Sequence, residues 1–524
     1  MQAGQALPAF LLADEAGGEH SFPSGKRSLI CFVKEDCPTC QVVMPVLAAL
    51  YEGAAASVDF RIAGQTTDGN SALVERFAPG FPLLDDASLK VSFAYDIDTV
   101  PSLFLSDGEG RLEQALVGFV RDEWQALAED LGGAPGLDWA ELPEWRPGCG
   151  SLSVDPTIAD RLRAEAENSP LRARKIEIAP ADDEFEFMFD QGFSDGLPLV
   201  PPTPERVMRM LSGTARDAQE VLGAMPPNMG DVTIEKLAIN AVMAGCKPDY
   251  LPVIIAATEA ILTEEYNIHG VMATTMGASP VMVINGPVRE RIGMNMKLGA
   301  LGQGNRANAT IGRAVRLAVR NIGGAKPGGT ERSTLGNPMK FTMCFPEFEE
   351  RSPWDPLHVE RGYEATDSVV TVFTMTSGPT LIVDQDSRQA SQLAGSFGLS
   401  LESAFHPKAH FATEVLLVVC PEHVDTLIRD GYSKADVRAR IQEVTARPLS
   451  ELVENETSAV GFKRAAFEAM DAAAQARALP KFKTPDDIHM VVAGADAGKF
   501  SGAFHGWATG EIGSISVSKK IEEV

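Results

Sequence analysis

The sequence predicts an α/β protein of two or three domains, and three observations carry that expectation. The chain has 524 residues, beyond the ~250–300 at which a single hydrophobic core stops growing. From the N-terminus to Gly133, short apolar runs alternate with segments of helical period, as in a sheet layered with helices. From Pro135 the composition then changes twice: first to a stretch with prolines and tryptophans, then to a long region rich in Gly, Asn and Met. The expected boundaries are residues 1–134, a linker with partial helix at 135–182, and a larger α/β domain of unassigned topology at 183–524.

The elements follow in order. Residues 26–33, ending Leu-Ile-Cys-Phe-Val, read as a buried strand. Lys34-Glu35-Asp36 turns the chain, and Cys37 opens a helical pattern through Val42, Val43, Val46, Leu47 and Leu50. A second strand is expected from Ser57 to Ile62, helical spacing over Ala72–Phe77, and a strand from Thr99 to Leu105. Asp107-Gly108-Glu109-Gly110 makes a turn into a strand ending at Val117, and a helix from Arg121 to Leu131 stops at Gly132-Gly133. In the linker, Ile158 to Glu167 reads as a charged helix. Beyond it, helices are expected at Glu205–Leu211, Ile234–Ala244, Leu251–Leu262 and Ala307–Asn321. Strands are expected at Val281–Ile284, Val369–Thr374, Glu414–Val419 and His489–Val492.

Charge narrows the partners. With 46 basic against 72 acidic residues the net charge is −26, which argues against nucleic acid or an anionic membrane surface, both bound through basic patches. No basic segment followed by an apolar run opens the chain, and no stretch approaches the ~20 apolar residues that span a bilayer. A cytoplasmic protein and a homo-oligomer are the expectations. Seven cysteines, an odd and low count, do not suggest a disulfide-stapled scaffold.

Cys37-Pro38-Thr39-Cys40 carries the clearest chemistry. At a helix start, free amides and the helix dipole stabilise the first cysteine as a thiolate at the exposed end. The second, one turn inside, resolves a mixed disulfide. Pro38 is tolerated because no intrahelical donor is lost there. The other reading is half of a zinc site, but zinc takes four ligands and no second Cys-x-x-Cys or His pair lies nearby in sequence. The redox reading is therefore preferred, with no metal and no cofactor beyond the dithiol.

The order Gly4-x-x-Leu7-Pro8-x-Phe10, strand, Cys37-Pro38-Thr39-Cys40, Val100-Pro101, Asp107-Gly108-x-Gly110 resembles thioredoxin-fold reductases of the TlpA and peroxiredoxin-like branch. The resemblance covers residues 4–133. It implies a cis bond before Pro101, which lies against the dithiol where its neighbours bind the incoming disulfide. Two positions depart from the family. Asp36 stands where thioredoxins usually carry Trp, and a carboxylate there is expected to oppose the thiolate. Cys31 stands where a buried acid often assists the second thiol.

The C-terminal region resembles proteins related to the UGSC (selenocysteine-Gly-Ser-Cys) grouping. The residues that carry this are Asp195-Gly196-Leu197-Pro198-x-Val200-Pro201-Pro202-Thr203, Ala241-Val242-Met243-Ala244-Gly245-Cys246-Lys247-Pro248, Asn285-Gly286-Pro287, the run Gly302-x-Gly304-Asn305-Arg306-Ala307-Asn308-Ala309-Thr310-Ile311-Gly312-Arg313, and Ser352-Pro353-Trp354. Gly148-Cys149-Gly150-Ser151 is similar to the name motif, with Leu152 in place of its final Cys. The resemblance implies a thiol-centred enzyme and names no substrate.

Within that region Cys246 follows a helix-ending Gly245 and precedes Pro248. Near a fresh helix start a thiolate is favoured; alternatively it is a small buried residue in a helix–helix turn. Asn305, Arg306, Asn308 and Arg313 either hold a carboxylate or phosphate at a helix N-terminus or form a structural loop of Asn-stabilised turns. His269 and His358 are acid–base candidates, while His406 and His410 lack the intervening Glu of a zincin site.

The expected function is a thiol-dependent oxidoreductase. The Cys37/Cys40 dithiol would supply electrons to a C-terminal cysteine, Cys246 or Cys149, for reductive cleavage of a small polar substrate at a heteroatom. An external thiol or a thioredoxin-type reductant protein would recharge it. The alternatives are a cysteine-nucleophile lyase or transferase kept reduced by its first domain, and a non-enzymatic dithiol-containing binding protein.

Overall fold

The computed structural model describes residues 2–166, 169–179, 181–510 and 513–522. Its chain divides into two compact units, Met1–Ile176 and Glu177–Val524.

In the first unit a five-stranded sheet runs in the order Leu83–Asp85, Asp59–Gly64, Ser28–Val33, Ser102–Ser106, Leu112–Val117. The first three strands are parallel and the last two antiparallel. The central strand, SLICFV, is buried at all six positions, which is why it reads as a continuous apolar run rather than an alternating one. Helices Pro38–Ala54, Thr67–Phe77 and Arg121–Leu131 press apolar stripes onto the sheet; Val43, Val46, Leu47 and Leu50 of the first are fully buried. Thr66 caps the second by accepting from the Gly69 amide at 3.2 Å. Gly132 ends the third in the left-handed region, φ +106°, as the Gly-Gly pair predicts.

The division differs from the sequence boundary at 134. Ala134, Leu137, Trp139, Leu142 and Cys149 pack against the core of the first unit, so the chain after Gly133 returns across that domain instead of leaving it. The charged helix forms at Pro156–Ala166; the last residue of its expected span, Glu167, lies outside the described residues.

The second unit is built on a mixed seven-stranded sheet. Six strands run in the order Cys344–Pro346, Ser279–Asn285, Val369–Val383, Phe500–Ala508, Thr413–Val419, Ile488–Val492, and Val517–Lys520 pairs with Val369–Val383. Strand Thr413–Val419 is buried throughout. Its Val415, Leu417 and Val419 face a cluster that contains helix Ala390–Leu401, while Leu416 and Val418 join Phe345, Phe373 and Phe504 in another. A period of two with both faces apolar is what a sheet covered on both sides requires. No helix among the described residues is long and apolar enough to cross a membrane.

Leu47 lies at the centre of the first core, fully buried. Leu47→Ala should cost about 2–5 kcal/mol from lost transfer energy and the cavity left behind. Urea denaturation followed by a probe in the first unit should show the lower midpoint, and an unchanged midpoint would contradict this packing.

Candidate active site

Cys37 is the N-cap of helix Pro38–Ala54, with Pro38 in its first turn. Its backbone is extended (φ −86°, ψ 114°), and its sulfur accepts from the Cys40 amide at 3.4 Å. The Cys40 sulfur, one turn inside, accepts from the Lys34 amide at 3.3 Å. Val100–Pro101 is cis, and the Val100 carbonyl lies 3.4 Å from the Cys37 sulfur, so the proline segment does lie against the dithiol.

The two sulfurs are pushed apart in acidity. The Cys40 thiol donates to Cys37, and with the Cys149 thiol and the Cys40 and Thr39 amides it holds Cys37 down to about 5 despite burial. Burial, together with that same hydrogen bond and the Cys37 charge, pushes Cys40 far above the ordinary thiol range. At neutral pH the pair is therefore one thiolate and one thiol, the state that thiol exchange needs.

The Asp36 side chain is 66% exposed and paired with Lys34 at 3.2 Å, and its negative charge opposes ionisation of Cys149 in the same cluster. Cys31 is fully buried on the central strand, and burial pushes its thiol up. As a neutral thiol it cannot take the part of the buried acid.

Cys149 joins the dithiol. The strand Cys149–Gly150 pairs antiparallel with Thr99–Val100, setting Cys149 opposite Val100, and the Cys149 thiol is a hydrogen-bond partner of the Cys37 sulfur. That bond, then burial and the negative charge of Cys37, push the Cys149 thiol up to about 11. One consequence corrects the reading of Cys37 as an exposed end, since the residue is 0% exposed. Further contacts hold this crossing segment. Thr39 Oγ1 donates to the Pro147 carbonyl at 2.5 Å, and Lys34 Nζ to the Gly150 carbonyl at 3.2 Å. Buried Gln65 donates to Ser151 Oγ at 2.6 Å and accepts from the Leu152 amide at 3.0 Å. Sequence reasoning missed Thr39, Lys34 and Gln65. The signal was there in Gly148, before Cys149, which allows a close backbone approach to Thr99 and Val100.

The other predicted residues lie in the second unit. Cys246 does occupy a turn, after Gly245 (φ +87°) ends helix Ile234–Ala244. It is buried, donates to the Thr310 carbonyl at 3.3 Å, and burial pushes its thiol up to about 12. The thiolate expected from a nearby helix start is therefore not favoured: burial outweighs the hydrogen bond at Thr310 and the charges of Arg306 and Arg313.

The Gly/Asn-rich loop is likewise occupied by the protein itself. Asn305 caps helix Arg306–Asn321 by accepting from the Asn308 amide at 3.0 Å and donates to the Gly293 carbonyl. Arg306 donates to the Gly245 carbonyl at 2.8 Å. Asn308 donates to the carbonyls of Asn295 and Ala300, and Arg313 forms a two-pronged pair with Asp195 at 2.8 and 2.9 Å. This is the structural-loop alternative. His269 is exposed on the short helix Ile268–Ala273. His358 is fully buried, and burial lowers its affinity for a proton.

The acidity of Cys37 has a direct test. Its depressed value means that the thiolate is present above about pH 5 and lost below it. Ultraviolet thiolate absorbance that disappears in Cys37→Ser should titrate near that pH. Because the Cys40 thiol is the largest contributor, Cys40→Ala should move the midpoint upward. A Cys37 midpoint in the ordinary thiol range in the natural chain would contradict the geometry.

No protein-family profile matches the chain. Over 130 residues it is 29% identical to the thiol-disulfide oxidoreductase ResA of Geobacillus kaustophilus strain HTA426, a match covering 23% of this chain and 72% of that protein. ResA of Geobacillus thermodenitrificans strain NG80-2 is 27% identical over 125 residues, with the same coverage of 23% and 72%. Of solved structures, StoA from Bacillus subtilis is 23% identical over 23% of this chain and 98% of its own, with a TM-score of 0.21. The N-terminal quarter of the chain has a thioredoxin-like fold and is similar in sequence to thiol–disulfide oxidoreductases.

Proposed function

We propose that the protein is a thiol–disulfide oxidoreductase in which Cys37 is the attacking sulfur and Cys40 the resolving one. The observation that supports this most is the split acidity of the pair, with a Cys37 thiolate held by donors at the N-terminus of a 17-residue helix. In the forward step the Cys37 thiolate attacks a disulfide R–S–S–R′. A Cys37–S–S–R bond forms and R′–S⁻ leaves. Cys40 then attacks the Cys37 sulfur, R–S⁻ leaves, and the Cys40 proton passes to the departing thiolate. Two electrons move from the dithiol to the substrate, and an external thiol reductant returns them.

The finer part of the reading is that the second unit receives these electrons for cleavage of a small polar molecule. Its support is the covalent fusion, since tethering gives an effective concentration of order millimolar. Cys246 would enter only after losing its proton, which its burial opposes.

Reduced chain mixed with glutathione disulfide should yield two glutathiones per chain and one protein disulfide that includes Cys37. Cys37→Ser should fall to the uncatalysed rate. A Cys37→Ser chain that still oxidises at the natural rate would overturn the proposal.

A further inference from the structure

The segment that covers Cys37 is laid down as an extended peptide. Its Trp145 and Arg146 pair antiparallel with Val120 and Phe119, and its Cys149 and Gly150 pair with Val100 and Thr99. Between the two short ladders Gly148 passes so close to the edge that a Cβ there would lie 2.2 Å from Thr99 Cγ2 and 2.6 Å from the Val100 carbonyl oxygen. Gly118 answers it from the other side, where a Cβ would meet the Arg146 carbonyl oxygen at 2.9 Å. Strand addition to an open sheet edge is a standard way of holding a peptide, with main-chain bonds fixing register and a side chain directed into a site. Here the register sets Cys149 opposite Val100, whose carbonyl lies 3.4 Å from the Cys37 sulfur.

We propose that Cys149 is a third redox thiol: residues 145–152 sit as a tethered internal substrate, and Cys149 exchanges with the Cys37–Cys40 disulfide to form Cys37–Cys149. The inference rests on the reading of Cys37 as the attacking sulfur. In the exchange the Cys149 sulfur attacks Cys37, the Cys37–Cys149 bond forms and the Cys37–Cys40 bond breaks. Cys40 leaves with the electron pair of that bond and takes up the proton given by Cys149. No electrons enter or leave, so three sulfurs share one disulfide. An outside disulfide reaches Cys37 only when residues 145–152 lift away, or enters through Cys149, which is partly exposed.

The test uses the full chain carrying Cys40→Ser, reduced and then given glutathione disulfide as the probe, with the products mapped by peptide mass spectrometry. Glutathione enters at Cys37 or Cys149, the neighbouring thiol displaces it, and the expected product is a Cys37–Cys149 disulfide with glutathione released. Adding Gly148→Ala, which drives a Cβ into the Val100 carbonyl, should lift the segment and leave the glutathione adduct in place. A stable adduct on Cys37 in the Cys40→Ser chain, with Cys149 still open to alkylation, would overturn the inference while leaving Cys37 as the attacking sulfur. No modification of Cys37 in any form would overturn both.

Discussion

The sulfur of Cys37 gathers donors from two directions. The Cys40 thiol and amide and the Thr39 amide come from its own helix, and the Cys149 thiol comes from the crossing segment. A thiolate buried without partners is strongly disfavoured, yet this one is fully buried and still held down to about 5. The rest of the first unit serves that arrangement. The buried central strand leads into the start of the dithiol helix, while the Val100 carbonyl beside the sulfur accepts from Cys37 in its protonated form. The short strand Thr99–Val100 then fixes the register of Cys149.

The same hydrogen bonds give the two flanking thiols their roles. Cys40 and Cys149 are both raised, Cys40 first by burial and Cys149 first by its bond to Cys37. Each is a protonated donor next to one acceptor, so whichever loses its proton becomes the attacking group on an oxidised Cys37. The deeper thiol, Cys40, is 0% exposed, whereas Cys149 lies on a segment tied down mainly by hydrogen bonds. Such a segment opens more readily than a packed helix.

Most of the first unit was legible in the sequence because its signals are local. The apolar run before Cys37, the Cys-x-x-Cys at a helix start and the Gly132-Gly133 stop each depend on a few adjacent residues. What the sequence hid was long-range. Residues 135–154 read as a linker by composition, but Thr39, Lys34 and Gln65 bind them from more than 85 positions away in the chain. Asp36, next to Cys37 in sequence, pairs with Lys34 and opposes ionisation of Cys149. In the second unit the helices and strands followed their periodicities, whereas for Asn305, Arg306, Asn308 and Arg313 the sequence left an anion-holding helix start and a structural loop both open. The structure gives each an acceptor within the same unit, closing the loop around helix Arg306–Asn321.

These contrasts leave Cys37 and Cys40 as the pair on which the account stands, among seven cysteines that are all free thiols in the structure. Cys31, Cys246 and Cys344 are buried with thiols pushed up. The most direct measurement is a redox titration of the natural full-length chain in a graded dithiothreitol buffer, with the remaining thiols alkylated and located by mass spectrometry. The account predicts that the first two thiols lost, in one two-electron step, are Cys37 and a neighbour within its cluster, Cys40 or Cys149. A first disulfide formed without Cys37, or a chain that keeps all of its thiols across the titration, would contradict it.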